Sequence, residues 1–259
     1  MSEIDVLIVP SLRNSSVKAA DLLISSDYDV VFLNFPSNLQ SLISEYVLSG
    51  ITLQELISKI KLMKFIPDPA ASWLYLNEPI LEALQKLRRS VKVYCYRDVD
   101  YHHMLIEVAV KIASLTLKVN VTNKVDVKEW IRILKEYCKP KIMECEAEFV
   151  NFRAEKKSIC ITSLSGWKMA RYLRKFGNKV RVRCVERLYF FKPLEILEAL
   201  MEKGRLTCDL AENLIREHVE FIRNYVLTSR DPDEAYYLWV RKKRKIIRMA
   251  DQISICPQT

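Results

Sequence analysis

Two stretches of the sequence repeat an arrangement of residues that could hold an anion. They read VPSLRNSSVKAADLL, from residue 9, and ITSLSGWKMARYLR, from residue 161. Each combines a strand-like end, Ser-Leu, a polar loop and Lys-x-Ala-x-x-Leu, with matching pairs Ser11/Ser163, Leu12/Leu164, Lys18/Lys168 and Ala20/Ala170. Serines and unpaired N–H groups at a helix N-terminus, with a lysine one turn later, suit a phosphate because the helix dipole favours negative charge there.

This pattern predicts a small anionic ligand, such as a nucleotide, held between the two loops. Its candidate ligand-binding residues are Ser11, Ser163, Ser165 and Lys168. Ordinary N-capping by the serines is the simpler interpretation. Neither loop is rich in glycine, and no P-loop or dinucleotide fingerprint is present.

A second group of polar residues lies in YRDVDYHHMLIE, directly after a strand-like run. It contains Arg97, Asp98, Asp100, His102, His103 and Glu107. Two carboxylates and an imidazole could ligate a divalent metal or serve as acid and base, so the weak catalytic candidates are Asp98, Asp100, His102 and His103. Alternatively, Asp98 and Asp100 cap the helix that follows. His218 has no H-E-x-x-H pattern and is expected to be a helix histidine with its hydrogen bonds satisfied.

Positive charge is concentrated in the last two-fifths of the chain. Residues 151–259 contain 23 Lys and Arg against 13 Asp and Glu, whereas residues 1–150 carry 18 and 19. The candidate nucleic-acid-binding residues are Lys168, Arg171, Lys175, Arg241, Lys242, Lys243, Arg244, Lys245 and Arg248. Clustered cations of this kind can bind the phosphates of DNA, RNA or another polyanion. A lysine-rich solvated surface is the alternative.

The elements that must position these residues alternate between strands and helices. Apolar runs predict strands near residues 4–10, 28–36, 91–98, 157–163 and 178–186, and helical patterns fill most of the remainder. We expect Pro67 and Pro69 to break the helical pattern and Pro79 to lie in a first helical turn. Residues 139–157 show the least clear secondary-structure pattern of the chain.

The fold class is therefore α/β, with a mostly parallel central sheet flanked by helices and a helical C-terminal extension. We expect an α/β domain over residues 1–190 and the helical extension over 191–259, packed on or beside it. Those C-terminal helices could also pair two copies of the chain.

The bulk composition narrows the cellular setting. No apolar run reaches the length of a membrane span, and the N-terminus enters a strand directly, unlike a secretory signal, so a cytoplasmic protein without a membrane partner is expected. Seven cysteines without C-x-x-C spacing predict reduced, mostly buried thiols rather than a disulfide framework or a zinc site. Five glutamines among many Lys, Glu and Ile fit a thermophilic source.

The order of elements over about residues 4–190 resembles the TraB/ChaN/erythromycin-esterase-like superfamily. The segments that carry the resemblance are YDVVFLNFPSNLQSLISEY, WLYLNEPILEALQKLRRSVKVYCYRD and SICITSLSGWKMARYLRKFGNKVRVR. Members of that family typically carry Gly-x-x-His in both strand–loop–helix units, where this chain has SLRN and SLSGWKMA without histidine. The resemblance therefore implies a member that kept the fold and lost the family's site.

Together, these patterns predict a non-catalytic binding protein with a basic C-terminal surface for nucleic acid or another polyanion. A metal-assisted hydrolase using residues 97–107 and a nucleotide-binding regulatory protein are the alternatives. No particular cofactor is implied.

Overall fold

The structure is a computed structural model that describes residues 2–68, 70–88, 90–136 and 139–242. The strands are β1 (Glu3–Ile8), β2 (Val30–Pro36), β3 (Lys92–Arg97), β4 (Lys157–Thr162) and β5 (Lys179–Cys184). The α-helices are α1 (Arg13–Ser25), α2 (Gln40–Val47), α3 (Leu53–Leu62), α4 (Ala70–Leu84), α5 (Val99–Thr122), α6 (Val127–Glu136), α7 (Pro140–Arg153), α8 (Gly166–Lys175), α9 (Pro193–Glu202), α10 (Cys208–Phe221) and α11 (Pro232–Lys242). A 3-10 turn spans Ser37–Leu39, and a π-helical turn spans Ile222–Val226.

The five strands form one parallel sheet in the order β3-β2-β4-β1-β5, which confirms the expected α/β class. Its central strands are apolar on both faces because helices cover both. On one face, Leu7 packs in a cluster with Leu23 of α1 and Leu81 of α4. On the other face, Val6 packs in a cluster with residues of α7 and α8.

The two edge strands are protected in different ways. The side-chain amide of Gln40 donates to the carbonyl oxygen of Val93 at 3.0 Å and accepts from the N–H of Cys95 at 2.7 Å. These bonds satisfy backbone groups of edge strand β3. The opposite edge strand, β5, alternates half-buried residues with exposed cations, namely Lys179, Arg181 and Arg183. Charge on an edge strand discourages pairing with another chain.

Helix α4 corrects the expectation for Pro79, which lies inside the helix rather than in its first turn. A proline inside a helix has no N–H for the carbonyl four residues earlier, which here is Tyr75. Arg13 supplies the missing donor, because its Nη1 donates to the Tyr75 carbonyl oxygen at 2.6 Å. The same guanidinium pairs with Glu78 at 2.7 Å. This long-range contact lets α4 continue through the proline.

The chain divides into two compact units, one comprising Met1–Met104 with Lys139–Arg187 and the other Leu105–Cys138 with Leu188–Thr259. The first unit contains the sheet. In the second unit, Trp130 of α6 packs with Leu197 of α9 and Ile215 of α10 in one apolar cluster. The expected boundary at residue 190 lies near the Arg187–Leu188 junction, but the helical unit also takes residues 105–138. Those residues join it because their apolar faces are buried against the C-terminal helices.

The described residues also show two helix caps and the state of the cysteines. Asp126 and Asp231 act as helix caps, because their carboxylates accept from the N–H groups of Glu129 and Glu234 at 3.1 and 2.9 Å. All five described cysteines are free thiols, although two of them, Cys145 and Cys208, are exposed. None of the described helices combines the length and the apolarity that a membrane crossing requires.

Candidate anion-binding site

The strand order places the two serine-containing loops side by side. We call residues 10–12 and 163–165 the serine loops. They leave β1 and β4, which are paired neighbours with Ile8 opposite Thr162, and the N–H of Val9 donates to the Thr162 carbonyl oxygen at 2.8 Å. Parallel strands end at the same edge of a sheet, so the serine loops and the N-termini of α1 and α8 meet there.

The first turn of α8 lies close against the strand ends. A methyl group built on Gly166 would contact the Oγ1 of Thr162 and would lie 2.7 Å from the Cγ1 of Ile8. Only a residue without a side chain fits at this place. The close approach holds the N-terminal amides of α8 above the ends of β1 and β4.

The serines of these loops do not cap the helices, so the simpler interpretation of the sequence pattern is wrong here. Neither α1 nor α8 has a side-chain hydrogen bond from its N-cap residue, which is Leu12 in α1 and Ser165 in α8. Instead, the hydroxyls of Ser163 and Ser165 bond to each other at 3.0 Å. Ser11 is exposed. In the first turn of α8, the N–H groups of Gly166 and Lys168 already donate to the carbonyl oxygens of Ser163 and Ser165, both at 2.9 Å. The first amides of α1 have no intrahelical acceptor, so they are the backbone donors that this edge offers to an anion.

Two asparagines at the end of β2 extend the site, and sequence reasoning missed them. The Oδ1 atoms of Asn34 and Asn38 are buried and have no hydrogen-bond partner. From β2 the chain continues to β3, whereas from β4 it crosses in the opposite direction to β5. Ligands of open α/β sheets bind where the connections from two adjacent strands leave in opposite directions, as they do from β2 and β4. In the sequence, the only sign of a polar function here is that asparagines occur in and directly after the strand-like run, which reads VVFLNFPSN.

The lysines of the repeated motif have other partners. Lys18 and Ser15 both donate to the carboxylate of Glu186, at 2.6 and 3.0 Å. Lys168 also has an interaction partner. The serine loops follow neighbouring strands, while the lysine of the first motif pairs with Glu186.

We predict that Gly166→Ala destabilises the folded protein by about 1–3 kcal/mol, because the added methyl overpacks against Thr162 and Ile8. Urea unfolding followed by circular dichroism measures the loss. Gly177→Ala is the comparison at the end of the same helix, where nothing lies within 4 Å but the backbone φ is +84°. If Gly166→Ala were as stable as the parent, the close approach of α8 to Thr162 and Ile8 would be contradicted.

The segment 97–107 forms a different environment at the end of β3. Asp98 caps α5, because its Oδ1 accepts from the N–H of Tyr101 at 2.7 Å. Arg97 forms an ion pair with Glu146 of α7 at 3.3 Å, and both side chains are buried. Burial raises the pKa of Glu146 although the charge of Arg97 opposes this effect. These residues line a cavity of about 470 Å³ together with Lys141 and Cys145.

The histidines and the remaining acids of this segment do not assemble into a metal site. Within the described ranges, no group of three His, Cys, Asp or Glu side chains is placed to hold a metal ion. The His102 and His103 rings are 6.4 Å apart and tilted by 56°, and both Nε2 atoms lack partners. Burial, followed by the charges of Arg97 and His103, lowers the pKa of His102 to about 4. Asp100 and Glu107 are exposed.

The basic residues fall into three sets. Arg171, Arg174 and Lys175 are exposed on α8, and the cations of Arg171 and Lys175 lie 6.0 and 5.4 Å from the ring centre of Tyr172. Arg181 and Arg183 on β5 instead pair with the carboxylate of Asp5. Arg241 and Lys242 end α11 and are exposed. The other cations of the predicted C-terminal cluster, Lys243, Arg244, Lys245 and Arg248, lie outside the described residues.

Comparison with known proteins provides no assignment for this site. No family model, no curated protein and no solved structure matches the chain.

Proposed function

We propose that this chain is a binding protein for a small phosphate-bearing ligand of the nucleotide class, held at the carboxyl edge of β1 and β4. One observation carries the proposal: two helix N-termini without a side-chain cap, each preceded by a serine loop, follow neighbouring parallel strands. Backbone amides and hydroxyls in this arrangement donate to phosphate oxygens, and the two helix dipoles favour their negative charge.

The polar atoms around this edge support the same ligand class. The phosphate would accept from the first amides of α1 and from the hydroxyls of Ser11, Ser163 and Ser165. The unpartnered Oδ1 atoms of Asn34 and Asn38 are acceptors suited to the sugar hydroxyls or to an N–H group of the base. The site is therefore assembled mainly from neutral donors.

A titration with AMP, ADP, ATP and inorganic phosphate, followed by calorimetry and by thermal unfolding, tests the proposal. A ligand present at about a hundred times its dissociation constant adds ~2.7 kcal/mol to the free energy of unfolding. We expect at least one nucleotide to raise the unfolding temperature, and phosphate alone to do so weakly.

Ser165→Asp and Ser11→Asp separate binding from folding. A carboxylate at a helix N-terminus interacts favourably with the dipole, so the free variants should remain folded and equally or slightly more stable. The same carboxylate repels a phosphate, so nucleotide binding should be lost. Thr207→Asp is the matched control, since Thr207 is the N-cap of α10 in the other unit. Undiminished binding by both serine-loop variants, or no nucleotide binding by the parent, would refute the proposal.

Binding of DNA, RNA or another polyanion is a second candidate, favoured by the exposed cations of α8. Arg171 and Lys175 form no ion pair among the described residues, and Arg174 bonds only to the carbonyl oxygen of Val180. Each phosphate that such cations neutralise releases counterions, so the affinity falls steeply with salt.

Fluorescence anisotropy of labelled DNA and RNA oligonucleotides against salt tests the second candidate. Changing Arg171, Arg174 and Lys175 to serine should flatten the logarithmic salt dependence by up to about 0.9 for each lost phosphate contact in duplex DNA. The control removes three exposed lysines elsewhere in the same unit, Lys61, Lys64 and Lys86. An equal effect of both triple variants would indicate net charge rather than a defined surface.

We propose the cytoplasm as the setting, which suits the free thiols of the five cysteines that the structure describes. Kinship with the TraB/ChaN/erythromycin-esterase-like superfamily stays a prediction, as do the thermophilic source and pairing of two copies through the C-terminal helices. The described donor set gives the metal-assisted hydrolase no support.

A further inference from the structure

The helical unit contains a large apolar cavity that the proposed function does not use. Its volume is about 640 Å³, which lies within the range of small-molecule sites. Most of its wall is aliphatic, including Val108, Ile112, Leu134 and Val219. A cavity of this size and composition is suited to an apolar ligand.

The shape of the cavity follows helix α5. The lining residues of α5 recur every three or four positions from Leu105 to Asn120, so they form one stripe along the helix. Fifteen residues of helix rise about 22 Å. Spread over that length, 640 Å³ corresponds to a mean cross-section of roughly 30 Å², which admits a single alkyl chain. The cavity therefore favours an elongated ligand.

Inside this apolar wall lies one buried polar group without a partner. His218 is only 8 % exposed and lines the cavity, and its Nδ1 has no hydrogen-bond partner. The expectation of a satisfied histidine is therefore wrong for this atom. The hydroxyl of Thr116, also on the wall, already donates to the Ile112 carbonyl oxygen at 2.8 Å. An unpaired buried nitrogen is costly, and a ligand with a polar atom would remove that cost.

A cation lies on the same wall, within the π-helical turn. Arg223 is exposed, and its Nε donates to the side chain of Asn224 at 3.2 Å. No carboxylate among the described residues pairs with it, whereas Glu198 on the wall has its own interaction partner. The π-helical turn contributes Ile222 and Arg223, and Leu227 follows directly. Such turns are frequent at functional sites because they displace side chains from regular helical positions.

We propose that this cavity binds an aliphatic carboxylate, with its chain along α5 and its carboxylate between Arg223 and the Nδ1 of His218. The apolar wall supplies most of the affinity by removing the chain from water. Arg223 supplies the charge selectivity, and His218 donates one hydrogen bond in its Nδ1-protonated neutral tautomer.

Isothermal titration calorimetry of the full chain with decanoate, decan-1-ol and decyltrimethylammonium tests this assignment. We expect decanoate to bind most tightly and the cationic amphiphile least tightly. Arg223→Gln should weaken decanoate roughly tenfold or more while leaving decan-1-ol nearly unchanged, because only the charge-assisted bond is lost. His218→Phe keeps an aromatic ring but removes the ring nitrogens, and it should weaken decanoate by several-fold.

A filling variant distinguishes this cavity from other apolar surfaces. Ala113 lines the cavity and is exposed, so Ala113→Trp should fold and abolish decanoate binding. Ser114→Trp, at the next exposed position of the same helix and outside the cavity, should bind like the parent. Equal binding by these two variants, equal affinity for the anionic and cationic amphiphiles, or no decanoate binding would overturn the proposal. A concentration-dependent dimer that Ala113→Trp disrupts would overturn it in favour of a second copy in the groove.

Discussion

Glu146→Ala should destabilise the protein by about 3–5 kcal/mol, because it leaves the charge of Arg97 buried without a counter-ion. The two side chains are 3 % and 7 % exposed and lie 3.3 Å apart. The carboxylate also accepts from the N–H of Asp98 at 3.1 Å, so the change removes a second bond. Urea unfolding at neutral pH measures the loss.

Two further variants make this result specific. Glu45→Ala breaks the exposed pair with Lys59 and should cost less than about 1 kcal/mol, since solvent screens such pairs. Arg97→Met combined with Glu146→Leu removes both charges and should recover most of the lost stability. A cost for Glu146→Ala no larger than that for Glu45→Ala would show that the buried pair contributes no such stability.

Acidification should destabilise the protein between about pH 6.5 and pH 4, and His218 should account for part of the effect. Burial, followed by the charge of Lys192, lowers the pKa of His218 to about 4. The unfolded chain, with a pKa of about 6.5, binds the proton more readily, so the unfolding free energy falls as the pH falls. The stabilisation is fully present above about pH 6.5, and its loss amounts to roughly 3 kcal/mol by pH 4, at up to about 1.4 kcal/mol per pH unit.

The measurement compares unfolding free energies of the parent and His218→Phe between pH 5 and 6.5, where most carboxylates stay ionised. We expect a shallower pH dependence in the variant. His102→Phe should have a similar effect, since the pKa of His102 is also lowered to about 4, mainly by burial. Parallel pH profiles for the parent and His218→Phe would contradict the prediction.

Much of the local structure could be predicted from the sequence. Four of the five strands lie in largely apolar runs, because a strand covered on both faces must be apolar throughout. The edge strand β5 is recognised instead by its alternation of half-buried residues and exposed cations. Helix α8 was equally clear, since its buried residues Met169, Ala170 and Leu173 recur at helical spacing between cations. Both features depend on neighbours along the chain.

Local patterns failed where a distant side chain completes the structure. Pro79 reads as a helix start, and only the bond from Arg13 to Tyr75 shows why α4 continues through it. Helix α7 was unreadable because one of its buried residues is Glu146, whose counter-ion lies 49 residues earlier in the chain. A buried carboxylate interrupts the apolar pattern by which a helix face is recognised.

The same distinction between local patterns and distant contacts applies to the candidate site. The sequence by itself determined the repeated serine loops and the concentration of cations near α8, since both are patterns of residue type and spacing. Only the tertiary structure placed β4 between β2 and β1, and that order brings the serine loops together beside Asn34 and Asn38. Likewise, the cavity at His218 exists only because residues 105–138 pack with the C-terminal helices. Both sites depend on contacts between segments far apart in the chain, and such contacts leave no periodic signal in a single sequence.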